Sequence, residues 1–122
     1  MIIKESGEDY LETILVLKKS KGLVRSIDVA NELKVTKPSV SVAMKHFREE
    51  GYVVADENGY LDLTEKGLKI AQNVYERHEI IAKALMTLGV CEETALEDSC
   101  KIEHVISKES FEKLKEFLNK SK

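Results

Sequence analysis

Along most of this chain the apolar residues recur at helical spacing, and they alternate in one short stretch only. The pattern therefore predicts helices joined by tight turns, with a single small β element. Tyr10, Leu11, Ile14, Leu15 and Leu17 make the apolar stripe of a first helix, which Ser6 would cap with Asp9 three residues on and which Gly22 would end. A second helix over about 26–33 would be capped by Ser26, with Ile27, Ala30 and Leu33 on one face. After the polar turn Lys34-Val35-Thr36, a third helix begins with Pro38 in its first turn, where a missing backbone donor is harmless, and it continues to about residue 50. Its Val40, Met44 and Phe47 step by four and three and face inward. Thr36, Ser39, Val42, Lys45 and His46 then fall nearer the opposite side.

The alternating stretch follows. Residues 51–55 and 60–63 are β-rich runs on either side of Asp56-Glu57-Asn58-Gly59, and the Asn-Gly pair predicts a hairpin closed by a type I′ turn. Thr64 would cap a long helix from 65 to about 88, closed by Gly89. Two more helices are expected over 92–106 and, capped by Ser107, over 108–119. With one proline and no internal repeat, the chain reads as helices with short joints and not as domains on a linker.

Composition narrows the class. A chain of 122 residues, 43% of them hydrophobic, can build one core or two small lobes sharing a long helix, and is too short for a large multidomain enzyme. No window holds the roughly 18 to 20 apolar residues of a membrane helix, and the start lacks a basic region followed by an apolar run, so a cytoplasmic protein without membrane contact is expected. Two cysteines, Cys91 and Cys100, in such a chain suggest a ligand or a buried thiol more than a structural disulfide. The net charge of −3 says little about nucleic acid, but its distribution does. Between Glu12 and Asp28 the only charges are Lys18, Lys19, Lys21 and Arg25, and between Glu32 and Glu49 they are Lys34, Lys37, Lys45 and Arg48.

Helix, tight turn, helix and two-stranded hairpin is the order of a winged helix-turn-helix, whose second paired helix enters the major groove. The candidate contacts to double-stranded DNA are Arg25, Ser26, Thr36, Lys37, Pro38, Ser39, Ser41, Val42 and Lys45, with Asn58 and Gly59 at the wing tip. Hydroxyls suit phosphate and base contacts, and lysines suit phosphates.

A second signal lies at Cys100, Glu103 and His104, whose spacings of three and four on a helix would turn a thiolate, a carboxylate and an imidazole to one face. Asp9 and Glu12 are likewise three apart on the first helix, and His78 stands on the long one. Each has an ordinary structural explanation: a capping box for Asp9, a solvated charge for Glu12, a satisfied core histidine for His78. The segment after the long helix is rich in apolar positions (Leu96, Ile102, Val105, Ile106, Phe111, Leu114, Phe117 and Leu118), more than so small a lobe covers alone, and this predicts a homodimer.

Three segments, Glu8-Asp9-Tyr10-Leu11-Glu12-Thr13-Ile14, Arg77-His78-Glu79 and Cys100-Lys101-Ile102-Glu103-His104-Val105-Ile106-Ser107, resemble the diphtheria-toxin-repressor family of metal-dependent transcriptional regulators. The resemblance runs over essentially the whole chain. It implies a mainly α fold with a small β-hairpin wing, divided into a winged helix-turn-helix DNA-binding domain over 1–64 and a helical metal-binding and dimerisation domain over 65–122. It further implies Asp9, Glu12, His78, Cys100, Glu103 and His104 as metal ligands, a palindromic operator, and control of manganese or iron homeostasis by repression. The ligand set is a hybrid. Asp9 and Glu12 are similar to the manganese branch, which carries Glu where this chain has Cys100, whereas a cysteine there is similar to the iron branch. The iron branch has further ligands at positions where this chain carries Ala82 and Leu96, and many of its members end in an additional small β-barrel domain. Carboxylates and imidazoles suit Mn²⁺ or Fe²⁺ while a thiolate favours later metals, so Zn²⁺, Co²⁺ or Ni²⁺ should also bind in vitro. Readings of other classes are a winged-helix regulator that senses oxidation through Cys91 and Cys100, a small metalloenzyme, and a protein-interaction module.

Overall fold

The computed structural model describes residues 5–120. Their order is α1 (Glu5–Lys21), α2 (Ser26–Leu33), α3 (Lys37–Glu49), β1 (Val53–Ala55), β2 (Leu61–Leu63), α4 (Glu65–Thr87), α5 (Glu92–Ile102) and α6 (Lys108–Lys120). The chain divides into two units, 1–72 and 73–122, and α4 runs through the division.

In the first unit α1 buries Leu11, Ile14, Leu15 and Leu17, as its stripe predicts. Val24, Val29 and Ala30, then Val40, Met44 and Phe47, then Tyr52, Val53 and Leu61 complete this core, each large side chain contributing about 1.5–3 kcal/mol by leaving water. An edge-to-face chain crosses it: Tyr10 of α1 meets Phe47 of α3 with ring centroids 6.2 Å apart, and Phe47 meets Tyr52 at 6.3 Å. The hairpin is antiparallel, Val53 facing Leu63 and Ala55 facing Leu61, and the Leu61 amide also donates to the Val24 carbonyl at 2.7 Å. Lys18 of α1 pairs with Asp62 of β2 at 2.8 Å.

The first turn of α4 is latched to the end of α3. Thr64 caps α4 by accepting the Gly67 amide at 3.1 Å, as expected, and its hydroxyl donates to the Gly51 carbonyl at 2.6 Å. Lys66 Nζ donates to the Glu50 carbonyl at 3.2 Å and stands 4.2 Å from the Tyr52 ring centroid. In the second unit, Val74, Ile81, Ala82 and Ala84 of α4, Ala95 and Ser99 of α5, and Phe111 and Leu118 of α6 are buried, and Ser107 caps α6 by accepting the Ser110 amide at 3.1 Å.

Five local expectations are corrected. Ser6 lies inside α1 and is not its cap, and its side chain lies outside the described residues. The N-cap of α2 is Arg25, not Ser26: the Asp28 carboxylate reaches back to accept the Arg25 amide at 2.9 Å, a stronger acceptor than a serine hydroxyl. On α2 the buried residues are Val29 and Ala30, while Ile27 is exposed. The hairpin does not close in a type I′ turn. Asp56 Oδ1 accepts the amides of both Asn58 and Tyr60, each at 2.9 Å, and Gly59 alone takes positive φ, which makes a three-residue loop with a glycine bulge. Finally, α5 stops at Ile102 with Glu103 as its C-cap, so Glu103 and His104 occupy a turn and not the helical face expected of them.

Candidate metal centre and nucleic-acid interface

The chemistry of the second unit concentrates where α4 meets the end of α5. His78 Nδ1 lies 2.8 Å from Glu103 Oε2 and 3.8 Å from Cys100 Sγ, and His104 Nε2 lies 3.4 Å from Glu103 Oε1. Four of the six expected ligands are thus brought together within one unit, although the turn after Ile102 replaces the helical spacing from which the cluster was read. Asp9 and Glu12 lie half-buried on α1 in the other unit, one helical turn apart. Ala82 and Leu96 offer no ligand atom; Ala82 is packed in the core and Leu96 is exposed.

Glu103 has 0% exposure, and its Oε1 has no hydrogen-bond partner among the described residues. Nearby Arg77 does not relieve it, because its Nη1 donates to the Glu103 backbone carbonyl at 3.3 Å and not to the carboxylate, while the guanidinium faces the Phe111 ring. A buried carboxylate oxygen without a donor is costly, and the neighbouring groups able to approach it, an imidazole above all, are themselves ligand types. The residues present therefore fit a divalent cation.

Ser99 was not among the expected site residues. It is fully buried, donates to the His78 carbonyl at 2.6 Å, and places the same oxygen 3.1 Å from His78 Nδ1, so it fixes both the backbone and the ring of His78. Neither cysteine is in a disulfide among the described residues, and both are exposed. Cys91 sits at the N-cap of α5, where the Thr94 hydroxyl, 3.2 Å away, and backbone amides hold its thiol below the ordinary 9.0.

In the first unit α3 is ordered from its start. Thr36 caps it, accepting the Ser39 amide at 3.3 Å and sharing a 2.8 Å hydrogen bond with the Ser39 hydroxyl, and Pro38 occupies the first turn. Thr36, Lys37, Pro38, Ser39, Ser41, Val42 and Lys45 are all exposed, opposite buried Val40, Met44 and Phe47. No acid lies in the first turn, and His46 and Arg48 lie in the last. Asn58 and Gly59 form the exposed tip of the hairpin, and Arg25 is stacked over Tyr60 at 4.5 Å, which joins the start of α2 to the wing; Ser26 beside it is half-buried. Asp28, hydrogen-bonded by Lys21 at 2.6 Å and by the Arg25 amide, has its carboxyl held below the ordinary 3.8.

Two family models match the chain. That of the iron-dependent repressor N-terminal DNA-binding domain matches residues 3–61, and that of the iron-dependent repressor metal-binding and dimerisation domain matches residues 64–122. The chain is 35% identical over 122 residues to an uncharacterised HTH-type transcriptional regulator of Methanocaldococcus jannaschii, covering 98% of each. It is 38% identical over 102 residues to the HTH-type transcriptional regulator MntR of Geobacillus kaustophilus, covering 84% of this chain and 72% of that one. Among solved structures, that of the manganese regulator SloR superposes with a TM-score of 0.80 at 30% identity, over 98% of this chain and 55% of SloR, so the chain spans about half the length of that relative.

Proposed function

Because the chain belongs to the iron-dependent repressor family and is a metal-dependent, DNA-binding transcriptional regulator and not an enzyme, we propose that it represses genes of manganese or iron uptake. The operator would be palindromic and the protein a homodimer working in the cytoplasm. Family membership gives no support to the oxidant-sensor and metalloenzyme readings. Among the described residues no helix is long and apolar enough to cross a membrane.

The observation that carries the metal reading is the buried Oε1 of Glu103, which takes no hydrogen bond among the described residues, with His104 Nε2 3.4 Å from it and His78 on the other carboxylate oxygen. Asp9, Glu12, His78, Cys100, Glu103 and His104 would hold the cation. When bound, a divalent cation supplies positive charge that offsets the mutual repulsion of these carboxylates. The chain does the rest: Ser99 holds His78 in place and Arg77 fixes the backbone at Glu103. The family description names iron and the SloR relative is named a manganese regulator, so Mn²⁺ and Fe²⁺ are the proposed effectors, with Zn²⁺, Co²⁺ or Ni²⁺ able to bind in vitro.

On the DNA side the proposal places α3 in the major groove through Thr36, Lys37, Pro38, Ser39, Ser41, Val42 and Lys45. Arg25 and Ser26 would lie at the backbone, with Asn58 and Gly59 at the wing. The functional division is 1–64 for DNA and 65–122 for metal and dimerisation, which the two family matches support. Exposed Leu96, Val105 and Phe117 support the dimer, which would set two recognition helices one DNA turn apart, roughly 34 to 36 Å.

The test is binding to duplexes from upstream of its own gene and of metal-transporter genes, titrated separately with Mn²⁺ and Fe²⁺ under anaerobic conditions. Metal-dependent, salt-sensitive binding is expected, and Lys45→Ala should reduce the salt slope by about one. Equal affinity with and without metal would remove the regulator reading.

A further inference from the structure

The exposed side of α3 carries one large apolar residue. Val42 is 58% exposed in mid-helix, on a face three residues from Ser39 and three from Lys45. A β-branched side chain is a mediocre helix former, and one left in water gains nothing from burial, so neither local preference nor packing accounts for valine here.

Its neighbours narrow what it meets. Of the three hydroxyls on this side, those of Thr36 and Ser39 hydrogen-bond to each other at 2.8 Å within the helix cap, so each already has a partner inside the protein, while Ser41 is exposed one residue before Val42. Lys37 and Lys45 flank the face and make no ion pair among the described residues, and the helix shows no acid before Glu49. What remains at the centre is an isopropyl group between cations suited to phosphates. The base edges of the major groove offer such a group one apolar partner, the C5-methyl of thymine. The polar groups of those edges, N7, O6, O4 and the exocyclic amines, are donors or acceptors that an isopropyl group would strip of water without pairing.

Resting on the reading of α3 as the groove-entering helix, we propose that Val42 determines operator specificity by packing against a thymine C5-methyl. It favours a T·A pair at one position of each half-site and disfavours G·C there.

The test uses the full-length, Mn²⁺-loaded protein and a duplex selected by it from a randomised pool. Each thymine is replaced in turn by deoxyuridine, which deletes the methyl and nothing else. One position per half-site should weaken wild-type binding about fourfold, the value of one buried methyl-sized group. That position should have no effect on Val42→Ala, a change that raises helix propensity and leaves folding secure. Selection of a duplex for which no thymine shows a methyl effect removed by Val42→Ala overturns the proposal alone. Unchanged binding of that duplex by both Val42→Ala and Lys45→Ala overturns it together with the placement of α3 on DNA.

Discussion

A methyl group added to Gly67 would lie 2.1 Å from the carbonyl oxygen of Tyr52 and 3.0 Å from its carbonyl carbon. The obstacle is backbone, and it cannot swing aside as a flexible side chain would. Gly67→Ala must therefore push the first turn of α4 away from the end of α3, at a cost of about 3 kcal/mol. A fall in melting temperature on the order of 10 °C is expected. A change within about 2 °C would show that the two segments are not in this contact.

Lys34 sits between α2 and α3 at φ 57°, ψ 43°, and among the described residues it is the one non-glycine residue with positive φ. A side chain in the left-handed region costs about 1 kcal/mol, which Lys34→Gly should recover as a rise of about 4 °C in melting temperature. Lys34→Ala keeps the strained Cβ and should give no such rise. A glycine variant that melts no higher than wild type contradicts the assigned backbone.

Asp28 has a folded-state pKa below its ordinary 3.8 because Lys21 and the Arg25 amide hydrogen-bond its carboxylate. A depressed carboxyl pKa adds stability that is fully present above the unfolded value and is lost as pH falls through the folded one. Asp28→Asn should thus be less stable than wild type at neutral pH, and the gap should close as pH falls below 3.8. The pair is partly exposed, so the gap is small and shrinks with salt. A gap that is constant from neutral pH into the acid range would refute this linkage.

How far the sequence disclosed these features depends on the range of the interaction involved. The seat of α3 was legible because Val40, Met44 and Phe47 follow helical spacing and Thr36 and Pro38 punctuate its start, all within a few residues. The hairpin was legible but its turn was not, because the Asp56 carboxylate captures two amides and converts a two-residue turn into a longer one. Arg25 became a cap for a similar reason, through Asp28. The end of α5 had no glycine to announce it, so Glu103 and His104 were read as helical. Ser99 gave no signal because its role depends on a residue 21 positions away.

Cation binding at Glu103 should appear as stability. At about 100 times Kd a ligand that binds only the folded chain adds about 2.7 kcal/mol. Glu103→Gln, which keeps the shape but removes the charge, should abolish the metal-induced rise in melting temperature while leaving the metal-free protein folded. An undiminished rise in this variant would place the cation elsewhere.

Cys100→Glu should shift activation of DNA binding toward Mn²⁺, since an oxygen ligand suits that ion better than a thiolate does. The same change should remove the thiolate charge-transfer band of the Co²⁺-loaded protein, and Cys91→Ser should do neither. Identical Mn²⁺ and Fe²⁺ activation midpoints in Cys100→Glu and wild type would make Cys100 a bystander.

The chain has no tryptophan and four tyrosines, and two of these, Tyr10 and Tyr52, stand edge-on to Phe47. The protein consequently contains its own optical probe. Near-ultraviolet circular dichroism, silent for a freely rotating phenol, reads the asymmetric surroundings of held rings, these two among them, one on α1 and one just past the end of α3. Any event that reseats α3 against α1 changes that spectrum without a label, and Phe47→Leu would extinguish much of the signal. The seating of α3 can then be followed in solution, with no DNA present, as each metal is added.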